Sequence, residues 1–134
     1  MIKSSGLHSS RVLIVEDEAV TRLALTVLLE HQGAIVLSAG SIQEGIEIIR
    51  FGFEPNLLVS NIRLPDGNGA RVLDVIRQQE THRTVAIALT GEVIAMIRQD
   101  SESVGFDVYL PKPYDSEILL NTIEQLIDTP PNDL

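Results

Sequence analysis

The chain has 134 residues, of which 44% are hydrophobic and 4% aromatic, so its length and composition fit one domain with an aliphatic core. It has no cysteine, which excludes disulfides and thiolate metal sites, and its three scattered histidines form no zinc-ligand cluster. A formal net charge of -9 argues against nucleic-acid binding through a basic face. No apolar run approaches the ~20 residues of a membrane-spanning helix, and residues 1–10 lack the apolar block of a signal peptide, so we expect a cytoplasmic protein.

Composition marks both ends of the chain as tails. The first ten residues are rich in Ser and Gly, and the last ones include Pro130 and Pro131, which cannot continue a helix. We therefore expect a flexible N-terminal tail over residues 1–10, a folded domain over 11–128, and a C-terminal tail or linker over 129–134.

Between the tails, short apolar runs alternate with segments of helical periodicity. The apolar runs predict five strands, at residues 11–15, 34–39, 56–60, 85–89 and 107–110. The periodic segments predict five helices, at residues 19–31, 42–49, 70–79, 92–104 and 116–127. Val20, Leu23 and Val27 show the helical spacing in the first of these helices, and Ser41 with Glu44 forms a capping box at the start of the second.

Strands that are each followed by a helix predict an α/β fold. The crossovers between parallel strands are right-handed and lay helices over the sheet, which gives a doubly wound five-stranded parallel sheet in a three-layer sandwich. The continuous apolar character of the first, third and fourth strands agrees, because strands buried on both faces do not alternate. In such sheets the ligand crevice lies at the carboxyl ends of the strands.

Polar side chains follow four of the predicted strands and should converge on that crevice. Adjacent carboxylates repel each other unless a cation lies between them, and oxygen ligands of this kind suit Mg²⁺. A hydroxyl and an ammonium group on the opposite rim would hold the oxygens of a phosphoryl group. In chain order these residues are Glu16, Asp17, Glu18, Asn61, Thr90 and Lys112.

Four motifs stand at the ends of these strands: VLIVEDE, IRLPDGNG, ALTG and YLPKPY. Over roughly residues 10 to 128 the chain resembles the receiver domain of two-component response regulators, in which such motifs occur in this order. The resemblance implies a flavodoxin-like (βα)5 fold. It also implies an activity, which is to accept a phosphoryl group on an aspartate, with Mg²⁺, from a histidine kinase or phosphotransfer protein.

The resemblance assigns roles to residues around the crevice. Glu16 and Asp17 match the acid pair that holds Mg²⁺, and the backbone carbonyl of Arg63 matches the main-chain ligand. Thr90 matches the hydroxyl residue that bonds the phosphoryl oxygen, and Lys112 matches the lysine of the pocket. Glu18, by contrast, is expected only to start the following helix.

Two further features follow from the same resemblance. The peptide bond between Lys112 and Pro113 is expected to be cis, a form that is costly except before proline. Tyr109 matches the switch aromatic residue that turns inward as Thr90 moves.

Asn61 departs from the family pattern because it stands where the phosphoacceptor aspartate is expected. An amide oxygen carries no full charge with which to attack phosphorus, so Asn61 should not be phosphorylated in the normal way. It can still offer a neutral oxygen to Mg²⁺, but with one charge fewer the metal should bind more weakly. Two origins stay open: an engineered or recent replacement that locks the receiver unphosphorylated, or a natural pseudo-receiver that signals by binding alone.

The predicted helix over residues 92–104 is apolar on more than one side. Its apolar residues either pack loosely against the sheet or form a docking patch for a second copy or an output protein. The candidates for that interface are Val93, Ile94, Met96 and Ile97.

An enzyme is the remote alternative. A haloacid dehalogenase-like phosphatase also places an aspartate, a hydroxyl residue and a lysine at strand ends. That class needs its nucleophile directly after the first strand in an Asp-x-Asp pattern, whereas this chain has Glu16, Asp17 and Glu18 there. We therefore expect a signalling module and not an enzyme.

Overall fold

Seven strands occur in the computed structural model, which describes residues 7–79, 83–91 and 105–128. Five of them form one parallel sheet, and the short strands β4 and β5 form a separate antiparallel pair. The strands are β1 (Arg11–Val15), β2 (Ile35–Ala39), β3 (Leu57–Asn61), β4 (Arg63–Leu64), β5 (Gly67–Asn68), β6 (Val85–Thr90) and β7 (Val108–Pro111).

Within the described residues, four helices connect or follow these strands: α1 (Ala19–His31), α2 (Ile42–Arg50), α3 (Ala70–Gln79) and α4 (Ser116–Asp128). Where prediction and structure can be compared, the bounds of the sheet strands and the helices agree within one residue. The hairpin of β4 and β5 was not predicted. None of the helices in the described residues is long and apolar enough to cross a membrane.

The predicted helix over residues 92–104 lies outside the described residues. The proposed interface residues on it therefore stay a prediction. They are Val93, Ile94, Met96 and Ile97.

The order of the strands in the sheet is β2-β1-β3-β6-β7. β1 lies beside both β2 and β3, so the direction of strand addition reverses between them, and the prediction of a doubly wound α/β sheet is confirmed. All five residues of β3 are buried, because helices cover this central strand on both faces.

Alternate residues of the central strands enter two hydrophobic clusters, one on each face of the sheet. From β1, Leu13 and Val15 pack with α2 and α3, whereas Val12 and Ile14 pack with α1 and α4. Burying each such side chain contributes about 1.5–3 kcal/mol. The two clusters hold the sheet between its helix layers.

The apolar stripe that the sequence shows on α1 faces solvent and not the core. Val20, Leu23 and Val27 are 74%, 64% and 57% exposed, whereas Leu25 and Leu29 are fully buried. Because α1 carries apolar residues on two sides, its period alone did not identify the packing side.

The predicted tail over residues 1–10 needs a correction at its end. Leu7 is fully buried and packs in the cluster beneath α1 and α4. The backbone N–H of Ser9 donates to the carbonyl oxygen of Gly33 at 2.8 Å, and that of Ser10 donates to Leu7 at 2.9 Å. Residues 7–10 therefore belong to the folded domain.

We predict that Leu7→Ala lowers the free energy of unfolding by about 2 kcal/mol, because it leaves a cavity in a packed core. Leu23→Ala is the matched control, since Leu23 is 64% exposed and its truncation should cost less than about 0.5 kcal/mol. Urea unfolding of the two variants measures the difference. Equal midpoints would show that Leu7 does not stabilise the domain.

Candidate functional site

The carboxyl ends of the parallel strands meet around a cavity of about 590 Å³. Val15 of β1 lies opposite Ser60 of β3, so the residues that follow these two in the chain, Glu16 and Asn61, reach the same edge of the sheet. Both are buried, with 1% and 6% of their surface exposed. Asp17 and Lys112 line the same cavity, so the structure brings these four predicted residues together.

Asn61 lies at the centre of a hydrogen-bonded cluster. Its amide nitrogen Nδ2 donates to Glu16 Oε2 at 2.9 Å and to Asp17 Oδ1 at 3.0 Å. Its amide oxygen Oδ1 accepts from Lys112 Nζ at 3.1 Å. The opposite orientation of the amide would place an oxygen against two carboxylates and an NH₂ group against an ammonium, so the charges of the pocket select the orientation observed.

Glu16 is a buried carboxylate with three hydrogen-bond donors. Lys112 Nζ donates to Oε1 at 2.8 Å, and the backbone N–H of Glu18 donates to Oε2 at 2.9 Å, in addition to the bond from Asn61. A buried charge of this kind is tolerated when it is paired and hydrogen-bonded, and removing one partner typically costs 3–5 kcal/mol. Glu16 therefore depends on groups from three segments of the chain.

Lys112 is held at the pocket by its own backbone. Its N–H donates to the carbonyl oxygen of Thr90 at 2.6 Å, which joins the end of β7 to the end of β6. The peptide bond between Lys112 and Pro113 is cis, as predicted. Thr90 is buried, and together with Asn61 and Lys112 it lines a second cavity of about 240 Å³ beside the first.

Two tyrosines lie near the last strand. Tyr109 is half-buried and packs on the α2 and α3 side of the sheet, with its ring in edge contact with Phe106 at a centroid distance of 5.9 Å. Its role as a switch residue stays a prediction. Tyr114 lines the pocket, where burial and then the negative charge of Glu16 raise the pKa of its phenol.

A family model described as the response regulator receiver domain matches residues 12–124. The chain belongs to the receiver domain family of response regulators. It is 34% identical over 115 residues to an uncharacterized 14.6 kDa protein from the sodA1 3' region of Leptolyngbya boryana, a match that covers 85% of this chain and 87% of that protein.

Larger regulators and solved receivers are also similar. The transcriptional regulatory protein CpxR of Escherichia coli K12 is 29% identical over 118 residues, and the chain spans about half of its length, 49%, while 88% of this chain is covered. The non-phosphorylated HemR receiver domain of Leptospira biflexa is 28% identical with a TM-score of 0.79, covering 94% of this chain and 100% of HemR. The response regulator TrrA of Thermotoga maritima, solved in complex with Mg²⁺-BeF, is 26% identical with a TM-score of 0.74, covering 87% and 93%.

The donor set of this receiver fits Mg²⁺ only in part. Glu16 and Asp17 offer carboxylate oxygens, and Arg63 lines the same cavity. Asn61 turns its N–H groups, and not its oxygen, toward both acids, so its predicted role as a ligand requires the amide to rotate. Among the described residues, no group of three or more His, Asp or Glu side chains could hold a metal ion.

Gly69 permits the close approach of the chain behind Asn61. A Cβ atom at Gly69 would lie 2.0 Å from the carbonyl oxygen of Asn61 and 2.7 Å from Ser60 Oγ, which no side chain can occupy. The N–H of Gly69 instead donates to the carbonyl oxygen of Ile62 at 2.7 Å. No local sequence pattern reveals this contact with the pocket strand.

Asp66 is a structural residue that the sequence reasoning missed. Its two carboxylate oxygens accept from the N–H groups of Ile42 and Gln43 at 3.0 Å each, at the start of α2. Ser41 Oγ accepts from the N–H of Glu44 at 3.1 Å, as predicted, while the Glu44 carboxylate reaches Gly40. The hairpin after β3 is thus tied to α2. No local pattern reveals this bond, because Asp66 lies 24 residues from Ile42.

These contacts change the ionisation of Asp66. Burial acts to raise the pKa of its carboxyl group, but the hydrogen bonds from Ile42, Gln43 and its own N–H, with the charge of Arg71, outweigh that effect and lower the pKa below 3.8. A lowered pKa in the folded state means that the charged form stabilises the fold. That stabilisation is present above the unfolded pKa and is lost as the pH falls through the folded value.

We predict that Asp66→Asn lowers the free energy of unfolding at neutral pH by up to about 1 kcal/mol, because the exposed charge at the start of α2 is lost. The difference from the wild type should shrink as the pH falls below about 4. Asp74→Asn, at an exposed position on α3, is the control with the same change of charge. A pH-independent difference, or an equal effect of Asp74→Asn, would contradict the capping role.

Proposed function

We propose that this receiver acts in two-component signal transduction with Asn61 at the phosphoacceptor position, so that the chain stays unphosphorylated. The observation that carries the proposal is the place of Asn61, at the end of the central strand β3 between the Glu16 and Asp17 carboxylates and the Lys112 ammonium. An aspartate in that place would have a nucleophilic oxygen beside a lysine and an acid pair.

The amide cannot take the part of that aspartate. Phosphoryl transfer to this position needs a nucleophilic oxygen that bonds to phosphorus while the bond from phosphorus to the donor breaks. The leaving group is the imidazole nitrogen of a phosphohistidine or the oxygen of acetyl phosphate. The nitrogen of Asn61 has a delocalised lone pair and donates hydrogen bonds to two carboxylates. Its neutral oxygen accepts a hydrogen bond from Lys112. Both ends of the amide are therefore engaged, and neither is a good nucleophile.

Mg²⁺ belongs to this proposal as a weakly bound ion. Glu16 and Asp17, with the backbone carbonyl of Arg63, would hold it, and TrrA is a similar receiver solved with Mg²⁺-BeF. When bound, the ion supplies positive charge next to phosphoryl oxygens. With Asn61 in place of a third carboxylate, the site has one negative charge fewer, so its affinity for Mg²⁺ should be lower.

Thr90, Lys112 and Tyr109 complete the proposed switch. Thr90 and Lys112 line one cavity with Asn61, where a hydroxyl and an ammonium could contact phosphoryl oxygens. Tyr109 lies on β7, where it is paired with Ala88 of the neighbouring strand β6. Because this receiver is not phosphorylated, these three side chains would keep the arrangement of the unphosphorylated state.

The proposed partners are proteins. A histidine kinase or phosphotransfer protein fits the family, and the helix over residues 92–104 is the proposed surface for a second copy or an output protein. The net charge of -9 makes a nucleic-acid partner for this domain unfavourable. We place the protein in the cytoplasm, where such kinases act on receivers.

Phosphorylation by acetyl phosphate with Mg²⁺, followed by intact mass measurement, tests the proposal. We expect no phosphoryl adduct on the wild type and one adduct on Asn61→Asp, because only the carboxylate can attack phosphorus. Asn121→Asp, at an exposed position on α4, is the control for the same change elsewhere.

Each outcome of that experiment has a distinct meaning. Labelling of the wild type would overturn the proposal. Labelling of Asn61→Asp alone would mean that one side chain blocks an otherwise intact switch. If neither protein is labelled, the chain acts as a pseudo-receiver that signals by binding alone.

We also propose that the chain is not an enzyme toward phosphate esters. It lacks an aspartate nucleophile directly after β1 in an Asp-x-Asp pattern, since Glu16 and Glu18 flank Asp17 there. Incubation with p-nitrophenyl phosphate and Mg²⁺ should therefore release no p-nitrophenol above the background rate. Turnover that disappears in Asp17→Asn would revive the phosphatase alternative.

A further inference from the structure

We propose that the Asn61 amide, together with Lys112, takes the place of a divalent cation between Glu16 and Asp17 by offsetting the repulsion of their charges. The stability of the domain then does not depend on Mg²⁺. This inference rests on the proposed function but goes further. It assigns the amide an active structural role, whereas a block to phosphorylation needs only the absence of a carboxylate.

The hydrogen bonds of the amide carry the argument. A single nitrogen bridges one oxygen from each acid, at 2.9 Å and 3.0 Å. These are the carboxylates that would share a cation in a receiver with an aspartate at this position. The NH₂ group carries the positive end of the amide dipole, and two donors match two carboxylates without an unpaired hydrogen.

The amide oxygen completes the same cluster. Lys112 Nζ lies 3.1 Å from Asn61 Oδ1 and 2.8 Å from Glu16 Oε1, so the ammonium joins the second oxygen of Glu16 to the far end of the amide. Two carboxylates face one ammonium and one bridging dipole, which leaves one net negative charge. An aspartate at position 61 would raise that to two and would supply no donor to either acid.

Burial makes this bridge more effective than the same contacts in water. Glu16 is 1% exposed and Asn61 6% exposed, so their interaction is only weakly screened by solvent. A Mg²⁺ ion that bridges the same oxygens of Glu16 and Asp17 would have to displace both hydrogen bonds of the amide. The amide and the ion therefore compete for the same carboxylate oxygens.

The cluster also holds together segments that are distant in the chain. Glu16 follows β1, Asn61 ends β3, and Lys112 lies in the loop that begins after β7 and leads to α4. Bonds across 45 and 51 residues meet at one side chain. The amide thus helps to hold the loop that carries Lys112 against the pocket through a direct hydrogen bond.

The test is thermal unfolding of the full chain in EDTA and in excess Mg²⁺, at equal ionic strength. For the wild type we expect the two Tm values to agree within about 1 °C. Asn61→Asp should melt lower than the wild type in EDTA, by about 3 °C or more, and should recover with Mg²⁺, because its three carboxylates then share a cation. Asn121→Asp, with the same change of charge on α4, should show neither effect.

A measurement on the wild type keeps the proposal testable if Asn61→Asp folds poorly. The side-chain NH₂ of Asn61 gives a pair of ¹H–¹⁵N resonances, which can be assigned in the wild type through their correlations to the Asn61 backbone. Bound to the buried carboxylate of Glu16 and to the carboxylate of Asp17, these hydrogens should exchange slowly with solvent, and their shifts should not change when Mg²⁺ is added.

Two results would overturn the inference. One is a wild-type Tm that rises with Mg²⁺ as much as that of Asn61→Asp. The other is an Asn61 NH₂ pair that exchanges as fast as an exposed amide or moves on addition of Mg²⁺. Either result with an unlabelled wild type in the acetyl phosphate experiment would reject the amide bridge and leave the proposed function standing. Labelling of the wild type would reject the proposed function itself.

Discussion

The parallel pairing of β1 with β3 is the constraint on which the pocket depends. It places Val15 opposite Ser60, so that Glu16 and Asn61 reach the same edge of the sheet in adjacent positions. β6 lies on the other side of β3, and the bond from the Lys112 N–H to the Thr90 carbonyl oxygen returns the lysine to that edge. Glu16 and Lys112 meet although 96 residues separate them.

The pocket behaves as one electrostatic unit because its central acid is buried. Glu16 needs donors once it is removed from water, and it receives them from Lys112, Asn61 and the backbone of Glu18. Asn61 in turn satisfies Asp17 and is itself bound by Lys112. A change at Asn61 therefore alters the partners of both acids and of the lysine at once, which a side chain at the rim of the pocket could not do.

The strands and most helices were predictable because their signals are local. Continuous apolar runs end at polar residues in β1 and β3, and a cap marks the start of α2. These local sequence signals did not predict which residues are buried where the sequence allows more than one packing arrangement. α1 is apolar on two sides, and Leu25 and Leu29 were selected by the shape of the sheet below them. Leu7 lies in a Ser- and Gly-rich stretch typical of a tail, yet it fills a space in the core.

The sequence by itself determined the fold class, the family and the set of side chains at the strand ends, because hydrophobic periodicity and short motifs are patterns of residues that are close together in the chain. Only the tertiary structure decided which atom of Asn61 faces which partner. That orientation depends on charges brought from 45 and 51 residues away, and no local pattern contains them. The same is true of Asp66, which lies between β4 and β5 and accepts hydrogen bonds from the first residues of α2. Distant charges that meet only after folding are the physical reason for the difference.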